Sequence, residues 1–411
     1  MSAPGYQPSV TSSEGGLATR VAAWLRPAWV EVDRSALTAN VSYLARAVSP
    51  ARVCAVVKAD GYGHGAVQVA EAAVAGGASY LGVALAEEGH QLRQAGITTP
   101  VLVLSEPPAA AMEMVIADGL TPTLYTQRGL AALLGAARGR PVVRMAGSAS
   151  PTGPVQLPVP VHLKVDTGMH RVGADGETLI HLAEAVTAHP ELLLEGVFTH
   201  LAVADEPGDP YTARQLAVFD RVVGGLAQRG IRPALLHTAN SAGGLLFPDA
   251  RRDLVRAGIA VYGLAPAATL MADPMVRPLR PVLSLKARVS YVKELDAGER
   301  LSYGLHYRLG QRSVIATVPL GYADGVPRRL FEVHGAVLIG GRRYPVAGAV
   351  TMDQITVDCG PGAPVSAGDE VVLIGRQGGD EISAWEWAER LGTIAYEVTC
   401  ALSARLPRIY V

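Results

Sequence analysis

In this 411-residue chain, lysine, histidine and arginine stand where long apolar runs end. Lys58 follows the run Val53-Cys-Ala-Val-Val57. Lys164, Asp166 and Arg171 follow a second run, and His200 a third. His237, Asn240 and Ser241 close a fourth, and Arg256, Gly258 and Ile259 belong to a fifth. A lysine that closes a buried run faces a desolvation cost unless it is paired or neutral. Paired, it is a structural cation facing an acid on a neighbouring segment. Neutral, its amine can form a Schiff base with a carbonyl compound. The segments Asn240-Ser-Ala-Gly-Gly244 and Ala257-Gly-Ile259 offer a hydroxyl and closely approaching backbone N–H groups, which suit a phosphate.

These residues need a scaffold that turns them to one face. Eight apolar runs are expected to be strands: residues 53–57, 80–84, 101–104, 121–124, 159–165, 196–199, 234–237 and 254–261. Most flank a helical pattern, such as 66–75 or 211–227, the latter stopped by Gly230. Eight apolar strands alternating with helices predict a closed parallel (β/α)8 barrel of the TIM type, whose active face is built at the carboxyl ends of the strands. An open doubly wound sheet is the competing layout. It would normally show a glycine-rich phosphate loop after its first strand, and that fingerprint is absent. The stretch 147–158, rich in Ser, Pro and Gly, is expected to be a surface loop. After about residue 279, short alternating runs appear at 284–292, 313–318, 336–339, 354–357 and 370–374, followed by a short helix at 383–391. The expected division is a loosely ordered leader at 1–27, the barrel at 28–278 and a smaller, mostly β domain at 279–411.

Composition narrows the function classes. With 49% hydrophobic residues the chain can bury more than one core. A formal net charge of -1 leaves no basic excess for nucleic acid or an anionic membrane. No apolar run reaches the roughly 20 residues of a membrane span. Cys54, Cys359 and Cys400 are far apart, which suits a reducing cytoplasm and argues against a disulfide framework or a bound metal. Cys54 reads as a small core residue.

Six motifs carry a resemblance. They are Ala55-Val-Val-Lys-Ala-Asp-Gly-Tyr-Gly-His-Gly65, Lys164-Val-Asp-Thr-Gly-Met-His-Arg-Val-Gly173, His237-Thr-Ala-Asn-Ser-Ala242, Val255-Arg-Ala-Gly-Ile-Ala-Val-Tyr-Gly-Leu264, Leu301-Ser-Tyr-Gly304 and Gly321-Tyr-Ala-Asp-Gly325. Over residues 28 to 411 the chain resembles the alanine racemases, pyridoxal 5′-phosphate enzymes of fold type III. The resemblance implies that Lys58 forms the imine with the cofactor and serves as base on one face. It implies that Tyr303 is the base on the other face, reaching the barrel of a second subunit in a homodimer. Tyr62, Ser241, Gly258, Ile259 and Tyr396 match phosphate-binding positions, with Asn240 beside Ser241 on the cofactor side. Arg256 matches the arginine on the pyridine nitrogen, and His200 the histidine linking it to the tyrosine. Arg171 matches the residue near the substrate carboxylate, Lys164 a lysine often carbamylated to orient that arginine, Met352 a backbone contact to the carboxylate, and Tyr322 a tyrosine of the entrance.

The chemistry implied is consistent. Racemisation needs an acidified α-carbon and one base on each face. Lysine and tyrosine both titrate near 10, so both must be tuned downward. An arginine on the pyridine nitrogen disfavours a second positive charge there and restrains side reactions. A decarboxylase of the same fold, one rival, would want a carboxylate at that place. A single-barrel cofactor-binding protein, another, would lack the second domain. A racemase of serine or of broader specificity stays open, because the chain reads Gly348-Ala-Val-Thr-Met-Asp353 where family members commonly carry an arginine at the second position.

Overall fold

The computed structural model describes residues 26–138 and 158–411. The expected leader and the expected loop at 147–158 lie outside the described residues, apart from residues 26, 27 and 158. The chain divides into two compact units, Leu285–Ile382 with residues 26–29, and Val30–Ser284 with Ser383–Val411.

The larger unit contains eight parallel strands in one sheet: β1 (Arg52–Val56), β2 (Tyr80–Val83), β3 (Val101–Val103), β4 (Thr121–Leu124), β5 (Val159–Lys164), β6 (Leu192–Phe198), β7 (Leu235–His237) and β8 (Leu254–Ala257). From β1 to β7 each neighbours the next in sequence, and β8 pairs with β1 through Val53↔Val255 and Cys54↔Arg256. Between β7 and β8 the ladder is replaced by single bonds, from Asp253 N–H to the Leu236 carbonyl at 2.9 Å and from Arg256 N–H to the Ala239 carbonyl at 3.1 Å. The ring is thus a nearly closed (β/α)8 barrel. Strands buried on both faces explain why the runs are almost wholly apolar. Helices cover the outside, each presenting an apolar stripe. In Tyr211–Gln228 the buried positions Leu216, Phe219, Val222 and Leu226 recur at helical spacing. The helix Arg34–Val48, started by the Asp33 carboxylate on Ala36 N–H, precedes β1 and packs on the helix Ala66–Ala75.

Two expected barrel strands differ in extent by more than one residue. β6 starts at Leu192 rather than 196, pairing with β5 from Val159 onward. β8 stops at Ala257 rather than 261, because Gly258 turns the backbone (φ −102°, ψ −101°) into a short 3-10 turn, Ile259–Tyr262. Sequence patterning also placed residues 383–411 with the β domain, whereas by contact they group with the barrel. Trp385 Nε1–H donates to the Ala265 carbonyl at 3.2 Å, and the final strand Arg408–Tyr410 pairs in parallel with Val30–Val32.

The smaller unit is mostly β. One antiparallel sheet joins Tyr291–Leu295, Ser313–Val318 and Ile355–Asp358. A second runs through Arg342–Pro345, Ala336–Ile339, Glu370–Gln377 and residues 285–288. The expected single strand at 284–292 is two strands in different sheets. At the switch, Val289 N–H bonds the Asp369 carbonyl while Ser290 N–H bonds the Thr317 carbonyl.

Candidate active site

Lys58 does not end a strand. It opens a tight turn beyond β1 in which Ala59, Asp60, Gly61 and Tyr62 all take positive φ, 51° to 59°. For L-residues this left-handed geometry costs about 1–2 kcal/mol each, so something must hold it. The Glu88 carboxylate does so. It accepts from Ala59 N–H at 2.6 Å, Ala84 N–H at 2.8 Å and Leu85 N–H at 3.2 Å. Asp60 adds a bond from Ala66 N–H at 2.9 Å. The turn keeps the Lys58 side chain largely buried. Burial holds its amine below the ordinary value, Arg171 adds to the effect, and Glu88 and Cys400 oppose it.

Arg256, one residue from the end of β8, is almost fully buried. Its two terminal nitrogens donate to His237 Nδ1 at 2.8 Å and to the carbonyls of His237, Thr199 and Thr238 at 3.1, 2.6 and 3.1 Å, with His200 Nδ1 at 3.4 Å. Nε–H makes no bond among the described residues. The guanidinium also lies 4.9 Å from the Phe198 ring centroid. Burial pulls Arg256 down to about 10, which leaves it cationic at neutral pH. Burial and the charges of Arg256, Lys164, Arg171 and Lys58 push His200 well below the usual histidine range. Burial, then Arg256 and Arg171, bring Lys164 down to about 8. The mouth is therefore a cationic cluster in which several protons are loosely held. Anions are its natural ligands.

A cradle lies beside it. Ser241 Oγ accepts from Gly258 N–H at 2.8 Å and from Ala260 N–H at 3.4 Å. A Cβ on Gly258 would sit 2.7 Å from the Tyr62 hydroxyl. Only glycine lets that hydroxyl, the Ser241 hydroxyl and the 258–259 backbone converge. Asn240 acts as a cap, its Oδ1 accepting from Gly243 N–H at 2.9 Å. Tyr396 is brought there by the C-terminal segment, its ring 6.2 Å from that of Tyr62. Arg408 anchors that segment on the Gly63 carbonyl at 3.1 and 3.2 Å. Of the two histidines near the motifs, His170 bonds Asp166 and His64 bonds the Tyr62 carbonyl.

In the smaller unit three loops carry Tyr303, Tyr322 and Met352, with exposures of 73%, 42% and 53%. Ser302 Oγ donates to the Ala349 carbonyl at 2.6 Å, and Tyr322 and Ala323 N–H reach the Thr351 and Met352 carbonyls at 3.0 and 3.1 Å. The three side chains thus stand on loops laced to one another. Buried Asp324 braces them, accepting from Gly321 N–H and from Arg26.

Sequence patterning does not single out His162, Glu195 or Tyr80, which bond in series with His237 inside the barrel. Each is a polar residue set among apolar neighbours, with Lys164 the one other charged residue in the strand of His162, and that is the only sequence signal they give.

A barrel carrying a cationic cluster and a phosphate-type cradle at its strand ends, followed by a β domain, defines an enzyme of the two-domain (β/α)8 class. The alanine racemase N-terminal domain matches residues 32–266 and the alanine racemase C-terminal domain residues 282–410. The chain belongs to the alanine racemase family. The alanine racemase of Symbiobacterium thermophilum is 48% identical over 386 residues, 94% of this chain and 97% of its own. That of Desulfovibrio desulfuricans is 41% identical, covering 94% and 98%. Among solved structures, alanine racemase from E. faecalis superposes with a TM-score of 0.85 at 38% identity, covering 95% of this chain and 99% of that one.

Proposed function

We propose that this protein interconverts L-alanine and D-alanine with pyridoxal 5′-phosphate at the barrel mouth, with Lys58 and Tyr303 as the two bases. The observation that carries the reading is a half-buried lysine with a depressed pKa at the same mouth as an arginine whose Nε–H is unused among the described residues. The donor set fits the cofactor. Tyr62, Ser241, Tyr396 and the N–H groups of Gly258 and Ile259 suit its phosphate, Arg256 its ring nitrogen and Lys58 its carbonyl carbon. When bound, the group supplies the electron sink that makes the α-proton of an amino acid removable.

The chain's own residues do the rest. In one direction Lys58 Nζ removes the α-proton from one face and Tyr303 Oη delivers a proton to the other, and in the reverse direction the two exchange roles. Arg256 is cationic and disfavours a proton on the ring nitrogen, which restrains loss of carbon dioxide or amino-group transfer. His200 links Arg256 to Tyr303. Arg171 and the Met352 N–H hold the substrate carboxylate, and Tyr322 lines the entrance. Lys164, at about 8, is neutral in about a tenth of molecules at pH 7, so carbamylation there is chemically open and would orient Arg171. The exposure of Tyr303 supports its donation to a second copy of the chain in a homodimer. Three free cysteines fit a cytoplasmic setting. No helix among the described residues is long and apolar enough to cross a membrane.

The test is incubation of the holoenzyme with each L-amino acid in deuterated water, following chirality and α-deuterium. Alanine should lose chirality and gain deuterium, and Tyr303→Phe should keep the cofactor spectrum but lose racemisation. No exchange with any amino acid would sink the reading. Exchange of serine as fast as alanine would make the enzyme a broader racemase, as Ala349 at the position commonly held by arginine allows, and release of carbon dioxide would make it a decarboxylase.

A further inference from the structure

Five side chains from five different strands bond in series through the barrel: Arg256 of β8, His237 of β7, His162 of β5, Glu195 of β6 and Tyr80 of β2. Arg256 Nη1 lies 2.8 Å from His237 Nδ1, and His237 Nε2 lies 2.9 Å from His162 Nδ1. His162 Nε2 lies 3.0 Å from Glu195 Oε2, and Tyr80 Oη donates to Glu195 Oε1 at 2.8 Å. Strands β2 and β6 are not neighbours in the sheet, so the last bond crosses the barrel interior.

The ends of the series leave only one arrangement of protons. A guanidinium can only donate. His237 Nδ1 must therefore be the acceptor, and its proton sits on Nε2. That proton makes His162 Nδ1 an acceptor and puts the second proton on His162 Nε2, where the carboxylate receives it. Every bond between Arg256 and Glu195 points toward Glu195, and Tyr80 donates to the same carboxylate from the other side. Were either histidine in its other tautomer, His237 would turn an N–H toward the arginine, two donors 2.8 Å apart. The guanidinium would then have to move.

The backbone is shaped for this arrangement. Pairing of β5 with β6 runs Val161↔Leu194 and then His162↔Gly196, which leaves Glu195 as the extra residue of a bulge. Bulges re-aim side chains and recur beside functional sites. A Cβ on Gly196 would stand 2.7 Å from the His162 ring, so glycine is what admits the imidazole. Phe198 stacks on His237 with centroids 4.7 Å apart. Arg52 lies over the Tyr80 ring at the far end, 5.7 Å from its centroid. Burial, with Arg256 adding, lowers both histidines and keeps them neutral. Burial would raise Glu195, but the bonds from His162 and Tyr80 outweigh it and keep the carboxylate ionised.

We propose that Glu195 is a positioning residue for Arg256: acting through His162 and His237, its carboxylate fixes the proton order of this buried series and so the direction of the guanidinium. The bonds themselves do not depend on the proposed function; only the consequence for turnover does, through the placing of Arg256 Nε–H at the ring nitrogen.

Histidine-selective 15N spectra of the holoenzyme test the proton order directly. His162 and His237 should each show one neutral Nε2–H tautomer from pH 6 to 8.5, and a protonated Nδ1 on either overturns the proposal without any variant. Glu195→Leu should mix the tautomers and lower kcat roughly tenfold with KM changed by less than about twofold, the order of effect expected when an outer partner of an oriented group is lost. Glu195→Gln, which can keep an acceptor oxygen on His162, should restore the single tautomers and most of kcat. Single tautomers and unchanged kcat in a folded Glu195→Leu protein would overturn the proposal. If the native protein racemises nothing, the functional reading fails while the spectra still judge the series.

Discussion

His64 shows how one residue sets a pH limit on the molecule. Its ring is fully buried, Nδ1 is bonded to the Tyr62 carbonyl at 2.9 Å, and Nε2 is a buried nitrogen without a partner among the described residues. Burial pulls its pKa down to about 4. In the unfolded chain the same imidazole titrates near 6.5. Between those values the unfolded state binds the extra proton, so stability rises with pH across the window. The contribution is complete above about 6.5, is lost as pH falls, and levels off below about 4. A shift of that size is worth about 3 kcal/mol. Buried His162 and His237 are shifted in the same direction and steepen the fall. Urea titrations from pH 7 to 4.5 should therefore show a marked loss of stability, and His64→Gln should remove about 2.4 kcal/mol of that loss. An unchanged difference between the two pH values would show that His64 is not responsible.

At the scale of the element, the left-handed turn after Lys58 decides where the amine points. Its strain is offset by Glu88, which stands on the helix Ala86–Gln94 and reaches back to three N–H groups. Glu88→Ala should lower stability by about 2 kcal/mol, the order of a hydrogen bond to a charged group. It should also weaken uptake of pyridoxal phosphate, measured by equilibrium dialysis, while Glu88→Gln keeps part of both. Melting and uptake both unchanged would refute the role given to Glu88. The turn also marks the limit of what the sequence makes legible. The eight barrel strands can be read from the chain because burial on both faces demands nearly continuous apolar runs. The turn at Ala59 and Asp60 cannot, because residues that rarely take positive φ are held there by a carboxylate distant in sequence. The bulge at Glu195 is hidden for the same reason, since pairing with β5 and not local pattern creates it. β8 ended early because Gly258, needed to let the Tyr62 hydroxyl approach, also breaks the strand. The residues at the strand ends were legible as a set, whereas His162, Glu195 and Tyr80 each offer only one polar side chain in an apolar run.

For the whole molecule the question is how many chains make a site. The barrel unit carries Lys58, the arginine and the cradle, while the smaller unit carries Tyr303 on an exposed loop whose backbone is unusual, with Ser302 at φ 62° and Leu305 at φ 50°. Strained backbone of this kind persists where the surrounding structure over-determines it, and it clusters at functional sites. On the proposed reading, a second copy of the chain supplies Tyr303 to each barrel, and mixing two dead variants tests this. Lys58→Ala removes one base and Tyr303→Phe the other, so each homodimer should be inactive. In a mixed dimer with shared sites, one site carries both defects and the other carries none. Co-expression with random pairing makes half the dimers mixed, so activity should return to roughly a quarter of the native value. If each chain used its own Tyr303, or worked as a monomer, every site would keep one defect and the mixture would stay inactive. Recovery near a quarter would assign Tyr303 to the second chain, and no recovery would place both bases in one.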